Sequence, residues 1–241
     1  MSEAMLHAWE VVSQSPLLGL TLTILAYLVG EWLNARAGGT PVLHPVLLAI
    51  GLLIGVLLLA DIPYEAYFSG ARFIHFLLGP ATVALAVPLF DHREQIRRLF
   101  KPLAISCLAG VVTAVGSTLL LAELFGAQRE TTLSLAPKSV TTPIAMGIGE
   151  QIGGVPSVTA VLVLITGAIG CICVPWLMRC FRIEDHAVHG FALGMSAHGF
   201  GTAQAFYLSQ RAGAFSGLAM GAAGVITAFL LPLWIYLLGW S

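Results

Sequence analysis

Five nearly uninterrupted apolar runs, at residues 17–33, 43–59, 102–125, 156–178 and 215–238, set the terms for this chain. Each approaches the ~20 residues that a helix needs to cross a hydrocarbon core. A sixth run, residues 73–90, is long enough but carries Gly79, Pro80 and Pro88 and predicts a kinked or broken span. Of 241 residues, 58% are hydrophobic and only 10% are charged, a balance outside the range of water-soluble domains. The reading is an all-α integral membrane protein, a multi-spanning bundle forming a single transmembrane domain over residues 1–241. The near-zero net charge and sparse basic residues leave no electrostatic footprint for nucleic acid.

Two segments break the apolar pattern. Ala136-Pro137-Lys138-Ser139-Val140-Thr141-Thr142-Pro143-Ile144-Ala145-Met146 and Ser196-Ala197-His198-Gly199-Phe200-Gly201-Thr202-Ala203-Gln204 put polar, helix-breaking sequence at membrane depth. Unpaired backbone groups there cost several kcal/mol, so such segments persist only where protein or a wet cavity surrounds them. They are the first candidates for a solute site, within broken or re-entrant elements at about residues 134–155 and 186–208.

Charge sets the expected orientation. Arg93, Arg97 and Lys101 recur every four residues opposite Ile96, Leu99 and Phe100, predicting a short amphipathic helix on the cytoplasmic face. Counting spans from there places the N-terminus outside, with no basic n-region before the first span to mark a cleaved signal. If the loop with Arg179 and Arg182 is also inside, residues 134–155 must enter and return, as a re-entrant hairpin. Residues 186–206 fit either a discontinuous span or a second re-entrant element. Paired interruptions are the sequence sign of inverted repeats of the elevator-transporter type, and Pro80-Ala81-Thr82-Val83 weakly echoes Pro137-Lys138-Ser139-Val140. Trp9, Trp32, Tyr64, Tyr67, Trp234 and Trp240 fall near span ends, as an aromatic belt would.

The first segment has the chemistry of a helix N-terminus, where unpaired N–H groups attract an anion. Ser139, Thr141 and Thr142 add hydroxyls and Lys138 a positive charge, a set suited to a carboxylate. The bland alternative is that the hydroxyls satisfy backbone freed by Pro143 while Lys138 reaches for the interface. The second segment offers Ser196, His198, Thr202 and Gln204; histidine, titrating near neutrality, is a proton-coupling candidate. Glu150, beside the Gly153-Gly154 turn, is a second such candidate. No metal site is expected from Cys107, Cys171, Cys173, Cys180, His186 and His189, whose spacing matches no zinc pattern. No nucleotide loop or other cofactor motif occurs, and no nucleophile elbow surrounds Ser139, so the chain is not expected to be an enzyme.

Residues 137–145, Ile152-Gly153-Gly154, His198-x-x-Gly201-Thr202-Ala203 and Tyr64-x-x-Tyr67-x-x-Gly70 resemble the LrgB/CidB family of bacterial membrane proteins, including its YohK-like members. The resemblance implies a multi-pass protein of the bacterial inner membrane. It also implies one of two roles: a holin/antiholin-like regulator of murein hydrolase release, or a carrier for small 2-hydroxy or 2-oxo monocarboxylates. The second follows from a plant plastid relative regarded as a glycolate/glycerate transporter and from bacterial members tied to pyruvate uptake. The chain lacks the LrgA-like N-terminal half of the plant relative, so a homodimer, or a complex with a separate LrgA/CidA-like partner, is expected.

Overall fold

The computed structural model describes residues 16–240. Glu3, Trp9, Glu10 and the expected outside N-terminus lie beyond the described residues. Every regular element among them is helical: α1 Pro16–Arg36, a 3₁₀ turn Pro41–Leu43, α2 Pro45–Leu59, α3 Tyr64–Ala84, α4 Ala86–Asp91, α5 Arg93–Arg98, α6 Phe100–Leu124, α7 Arg129–Leu135, α8 Thr142–Gln151, α9 Pro156–Cys180, α10 His186–Leu208 and α11 Gln210–Leu237. Among the described residues five stretches are long and apolar enough to cross a membrane: Leu17–Arg36, Tyr64–Asp91, Phe100–Leu124, Pro156–Cys180 and Gln210–Leu237. The chain is a multi-pass, all-α membrane protein. It divides into two compact units, Met1–Ala84 and Leu85–Ser241.

In the first unit α1 packs on α2 and α3. Close approach needs a residue without Cβ: Gly19 sits directly on the backbone of Tyr67. Thr23 donates to the Gly19 carbonyl (2.7 Å) and shares a hydrogen bond with the Tyr67 hydroxyl (2.9 Å). The apolar run 43–59 yields a helix that begins only at Pro45, because residues 41–43 form a 3₁₀ turn and His44 caps α2 through Nδ1. In the run 73–90 the helix is interrupted at Leu85. Pro88 has no N–H to offer the Ala84 carbonyl, which accounts for the break. Pro80, by contrast, lies inside α3, so its echo of Pro137, which lies in non-helical backbone, is not a structural equivalence.

In the second unit the amphipathic surface helix is α5, with Arg93 and Arg97 exposed and Ile96 half-buried. Leu99 and Phe100 are exposed rather than inward, since the helix breaks at Leu99. The main core joins Cys107, Val111, Val115 and Leu119 of α6 to Leu133, Ile148 and to Ala223, Leu231 and Ile235 of α11. Trp234 and Trp240 pack half-buried against this core, so their placement serves protein packing and not a lipid belt alone. On α9, Val161, Ile165, Ile169, Ile172 and Trp176 are exposed on one face. The opposite face buries Thr159, Val163, Gly167, Gly170, Cys171 and Val174, the pattern of a helix between lipid and protein.

Both interrupted segments fold back on themselves. Helices α7 and α8 are about 10 and 15 Å long, too short to cross. The chain returns beside its entry: Val155 N–H donates to Ser134 Oγ (2.8 Å) and Thr159 Oγ1 to the Ser134 carbonyl (3.0 Å). Within α10 the backbone reverses at His198 (φ 41°, ψ −121°). Gly201 then lies against the Leu193 carbonyl, and His186 Nδ1 is 2.9 Å from Ser209 Oγ, so residues 186–197 and 199–208 are two arms of a hairpin. This resolves the open sequence reading in favour of a re-entrant element. Helix α11 starts at the end where α9 stops and runs alongside residues 186–197, with Gly190 and Gly194 on the backbone of Ala212 and Ser216. With the basic Arg93–Lys101 end placed inside, the Trp240 end faces outside.

The base of the second hairpin is tied by Asp185, whose carboxylate accepts from the Ala187 N–H (2.7 Å) as an N-cap and pairs with Arg211 (3.2 Å). Arg211 Nε also donates to Gln95 of α5 (3.1 Å). Desolvation would raise the Asp185 pKa, but the Ala187 amide and Arg211 outweigh it and hold the carboxyl below its ordinary range. A depressed carboxyl contributes stability above its unfolded pKa, about 4, and loses it as pH falls through the lowered value. Asp185→Ala is expected to lose about 1 kcal/mol in detergent-solubilised thermal unfolding, and Asp185→Asn, which still caps, less. The gap between native protein and Asp185→Asn should close in acid; a gap independent of pH would contradict the ion-pair account.

Candidate functional site

The two hairpin tips meet on one residue of α9. Val140 of the first tip and Ala145 of α8 pack with Val163 in a fully buried cluster. From the other hairpin, His198 Nε2 lies 3.1 Å from the Val163 carbonyl. A carbonyl only accepts, so Nε2 carries the proton. Val163 is therefore the point where both sequence-identified segments converge, although nothing in its own apolar run marks it.

The first tip is the non-helical stretch 136–141 between α7 and α8. Pro137 ends one helix and Pro143 sits in the first turn of the next, where a missing N–H costs nothing. Thr141 is the N-cap of α8, in extended backbone, and its side chain makes no capping bond. Thr141 and Thr142 are half-buried. The helix start expected from the sequence is thus present, with its first amides not capped by the Thr141 hydroxyl. Ser139 lines a small cavity with Ala136, Pro137, Val140, Met195 of α10, Ala223 and Thr227 of α11, and residues of α6. The space open to the centre of a water molecule is about 10 Å³, room for roughly one water. Lys138 does not reach the cavity: half-buried, its ammonium donates to Thr118 Oγ1, which in turn donates to the Ala114 carbonyl (2.6 Å).

At the second tip His198 is 3% exposed and holds a backbone conformation that L side chains seldom adopt. Its aromatic neighbour is Phe200, edge-on at 6.0 Å. Thr202 Oγ1 donates to the His198 carbonyl (2.8 Å) and therefore accepts from Ser216 Oγ (3.0 Å). Ser196 Oγ donates to the Ala192 carbonyl (2.7 Å). Both hydroxyl protons are thus committed to their own helix, which leaves Ser196 and Thr202 as acceptors toward any solute. Gln204 Nε2 donates to the Cys171 carbonyl of α9 (3.3 Å), while its buried Oε1 has no partner among the described residues. His198 directs its Nε2 proton to Val163, not to Ser139. Glu150 is exposed in the last turn of α8, and His186 is exposed at the hairpin base. Among the described residues no group of three His, Cys, Asp or Glu side chains converges on a metal position.

Sequence reasoning missed Thr118, Ser216, Thr227 and the glycines of α9. Thr118, Ser216 and Thr227 are lone hydroxyls in apolar runs, which a helix normally satisfies on its own carbonyls. Gly167 and Gly170 carried a readable signal, small residues in a spanning helix that admit a close neighbour. A Cβ on Gly167 would lie 2.9 Å from His198 Cε1. His198→Ala loses the Val163 bond yet keeps the strained backbone and should cost about 1–3 kcal/mol in thermal unfolding. His198→Gly loses the same bond but relieves the strain, so it should be the more stable of the two; the reverse order would refute the assignment of strain to this position.

The pattern of the LrgB-like family matches residues 23–237. An uncharacterized Bacillus subtilis protein, YwbG, is 38% identical over 216 residues, covering 90% of this chain and 96% of its own length. The holin-like protein CidB of Staphylococcus aureus is 32% identical over 221 residues, 92% of this chain and 96% of CidB, and that of Staphylococcus epidermidis is 31% identical over 218 residues, 90% and 95%. No solved structure matches the chain.

Proposed function

The chain belongs to the LrgB-like family, and from that premise we propose that it is a carrier for small 2-hydroxy or 2-oxo monocarboxylates of the glycolate, glycerate and pyruvate class, driven by proton-coupled alternating access in the bacterial inner membrane. One observation carries this reading: two re-entrant hairpins from opposite ends of α9 bring their tips together at Val163. Discontinuous helices meeting near the middle of a bundle are how carriers place half-helix N-termini and free backbone around a solute. A pore that only permeabilises needs no such device.

In this mechanism the amides opening α8, with Ser139, Thr141 and Thr142, receive the carboxylate, and Lys138 leaves Thr118 to neutralise it. His198, Thr202 and Gln204 take the second polar group from the other tip: a 2-hydroxyl donates to Gln204 Oε1 or Thr202 Oγ1, whereas a 2-oxo group, which only accepts, is held by His198 once its Nδ1 is protonated. His198, neutral while its Nε2 proton serves Val163, has Nδ1 for a coupled proton. The cavity beside Ser139 is far smaller than a three-carbon acid, and none of Thr141, Thr142, His198, Thr202 and Gln204 lines it, so in this mechanism the two tips rearrange before they share a solute. A dimer supplies a fixed scaffold in this account, and an LrgA/CidA-like protein is its expected membrane partner.

A second reading is favoured by the relatives' names. CidB is called holin-like in two staphylococcal species, and a holin-like regulator of autolysis would act through partner contacts and not through the tips. Purified protein in liposomes separates the two. Saturable uptake of labelled glycolate or pyruvate, stimulated by a pH gradient and lost in Thr142→Val and His198→Ala, supports the carrier. Leakage of a neutral dye, or a lysis phenotype that survives both substitutions without any uptake, supports the holin-like role.

A further inference from the structure

Residues 129–180 and 186–237 are two copies of one plan: a re-entrant hairpin followed by a long helix, equal in length and opposite in direction. Aligned end to end without gaps, they pair Thr141 with His198, the two tip residues. Ser139 then falls on Ser196, Thr159 on Ser216, Val140 on Ala197 and Gly170 on Thr227. The packing follows the same alignment, crossed between the copies. The second tip rests on α9, where a Cβ on Gly170 would lie 2.9 Å from Ala197 Cβ. The first tip rests on α11, where Val140 and Thr227 both border the water-sized cavity.

The two equivalent contacts are therefore in different states, one closed and one ajar. We propose that they exchange: in a second conformation the first tip closes on α11 at Thr227 while the second tip withdraws from Gly167 and Gly170 of α9. The site then opens toward the end from which the second hairpin enters, beside His186 and Ser209. The inference rests on the carrier reading for its purpose, since exchange of two inverted copies is what alternates access. It stands or falls on packing alone. The tight contact has the smaller residues, Gly170 and Ala197, and releasing it costs the Val163 hydrogen bond of His198. Closing the other contact eliminates the cavity beside Ser139.

The test uses the full chain with its four cysteines replaced and Ala197→Cys introduced, in vesicles of known orientation. Ala197 is fully buried here, so a membrane-impermeant maleimide reaches it only when the second tip withdraws. Labelling is expected only from the Ser209 side. Thr227→Leu, or the milder Ala223→Val, fills the cavity that the first tip must close and should slow labelling about tenfold if the open form is a minor state. Gly167→Ala and His198→Ala loosen the second tip and should speed it. Unfolding curves identify any variant that fails to fold, and the two fillers and two looseners make either result readable. Labelling from the opposite side, no labelling at all, or rates indifferent to the cavity fillers would overturn the exchange. Coupled labelling without uptake in liposomes would uphold exchange and sink the carrier reading; uptake without coupled labelling would do the reverse.

Discussion

A chain that turns inside hydrocarbon must supply partners for the backbone groups it frees, and the rest of this structure follows from how that demand is met. At the second tip the reversal at His198 leaves the carbonyl of that residue to Thr202 Oγ1 and anchors the ring on the Val163 carbonyl. At the first hairpin Ser134, beside the returning chain, accepts from Val155 and from Thr159 with different atoms, clamping the hairpin to the start of α9. Both hairpins are thereby held against α9. That helix in turn presents glycines where the second tip approaches and apolar side chains where lipid lies.

The polar groups so used are not spare. Ser196, Thr202 and Thr118 spend their protons on carbonyls, which turns a group of apparent donors into acceptors; the donors proposed for an anion are the α8 amides with Ser139, Thr141 and Thr142, and Lys138 only once it leaves Thr118. The first tip is electropositive and the second is rich in acceptors with one histidine. On the proposed carrier reading, a small acid with a carboxylate at one end and a 2-hydroxyl at the other suits that polarity, and a 2-oxo acid suits it only through the histidine.

Much of this was legible in the sequence, for definable reasons. Prolines and hydroxyls at membrane depth identified the first tip, and glycines beside His198, Ser196, Thr202 and Gln204 the second; with the Arg179 and Arg182 loop inside, the charge count also made residues 134–155 return to their side. The fate of residues 186–208 was not legible: His198 carries no local mark that it takes φ near +41° in preference to the flanking Gly199, and only packing on α9 decides it. The Pro80 echo failed for a related reason: Pro80 matches Pro137 in letters, but α3 continues through it, whereas Pro137 lies in non-helical backbone. Val163 contributes a carbonyl, which sequence cannot single out.

If each interrupted segment enters and leaves on one side, side-specific labelling of the hairpin bases will show it. Single cysteines in place of Glu130 and Gln151 bracket the first hairpin, and in place of Glu184 and Gln210 the second. The account predicts that an impermeant maleimide labels 130 and 151 from one side of the membrane and 184 and 210 from the other. Labelling of 184 and 210 from opposite sides would make residues 186–208 a crossing span and remove the meeting of the tips on which the account depends.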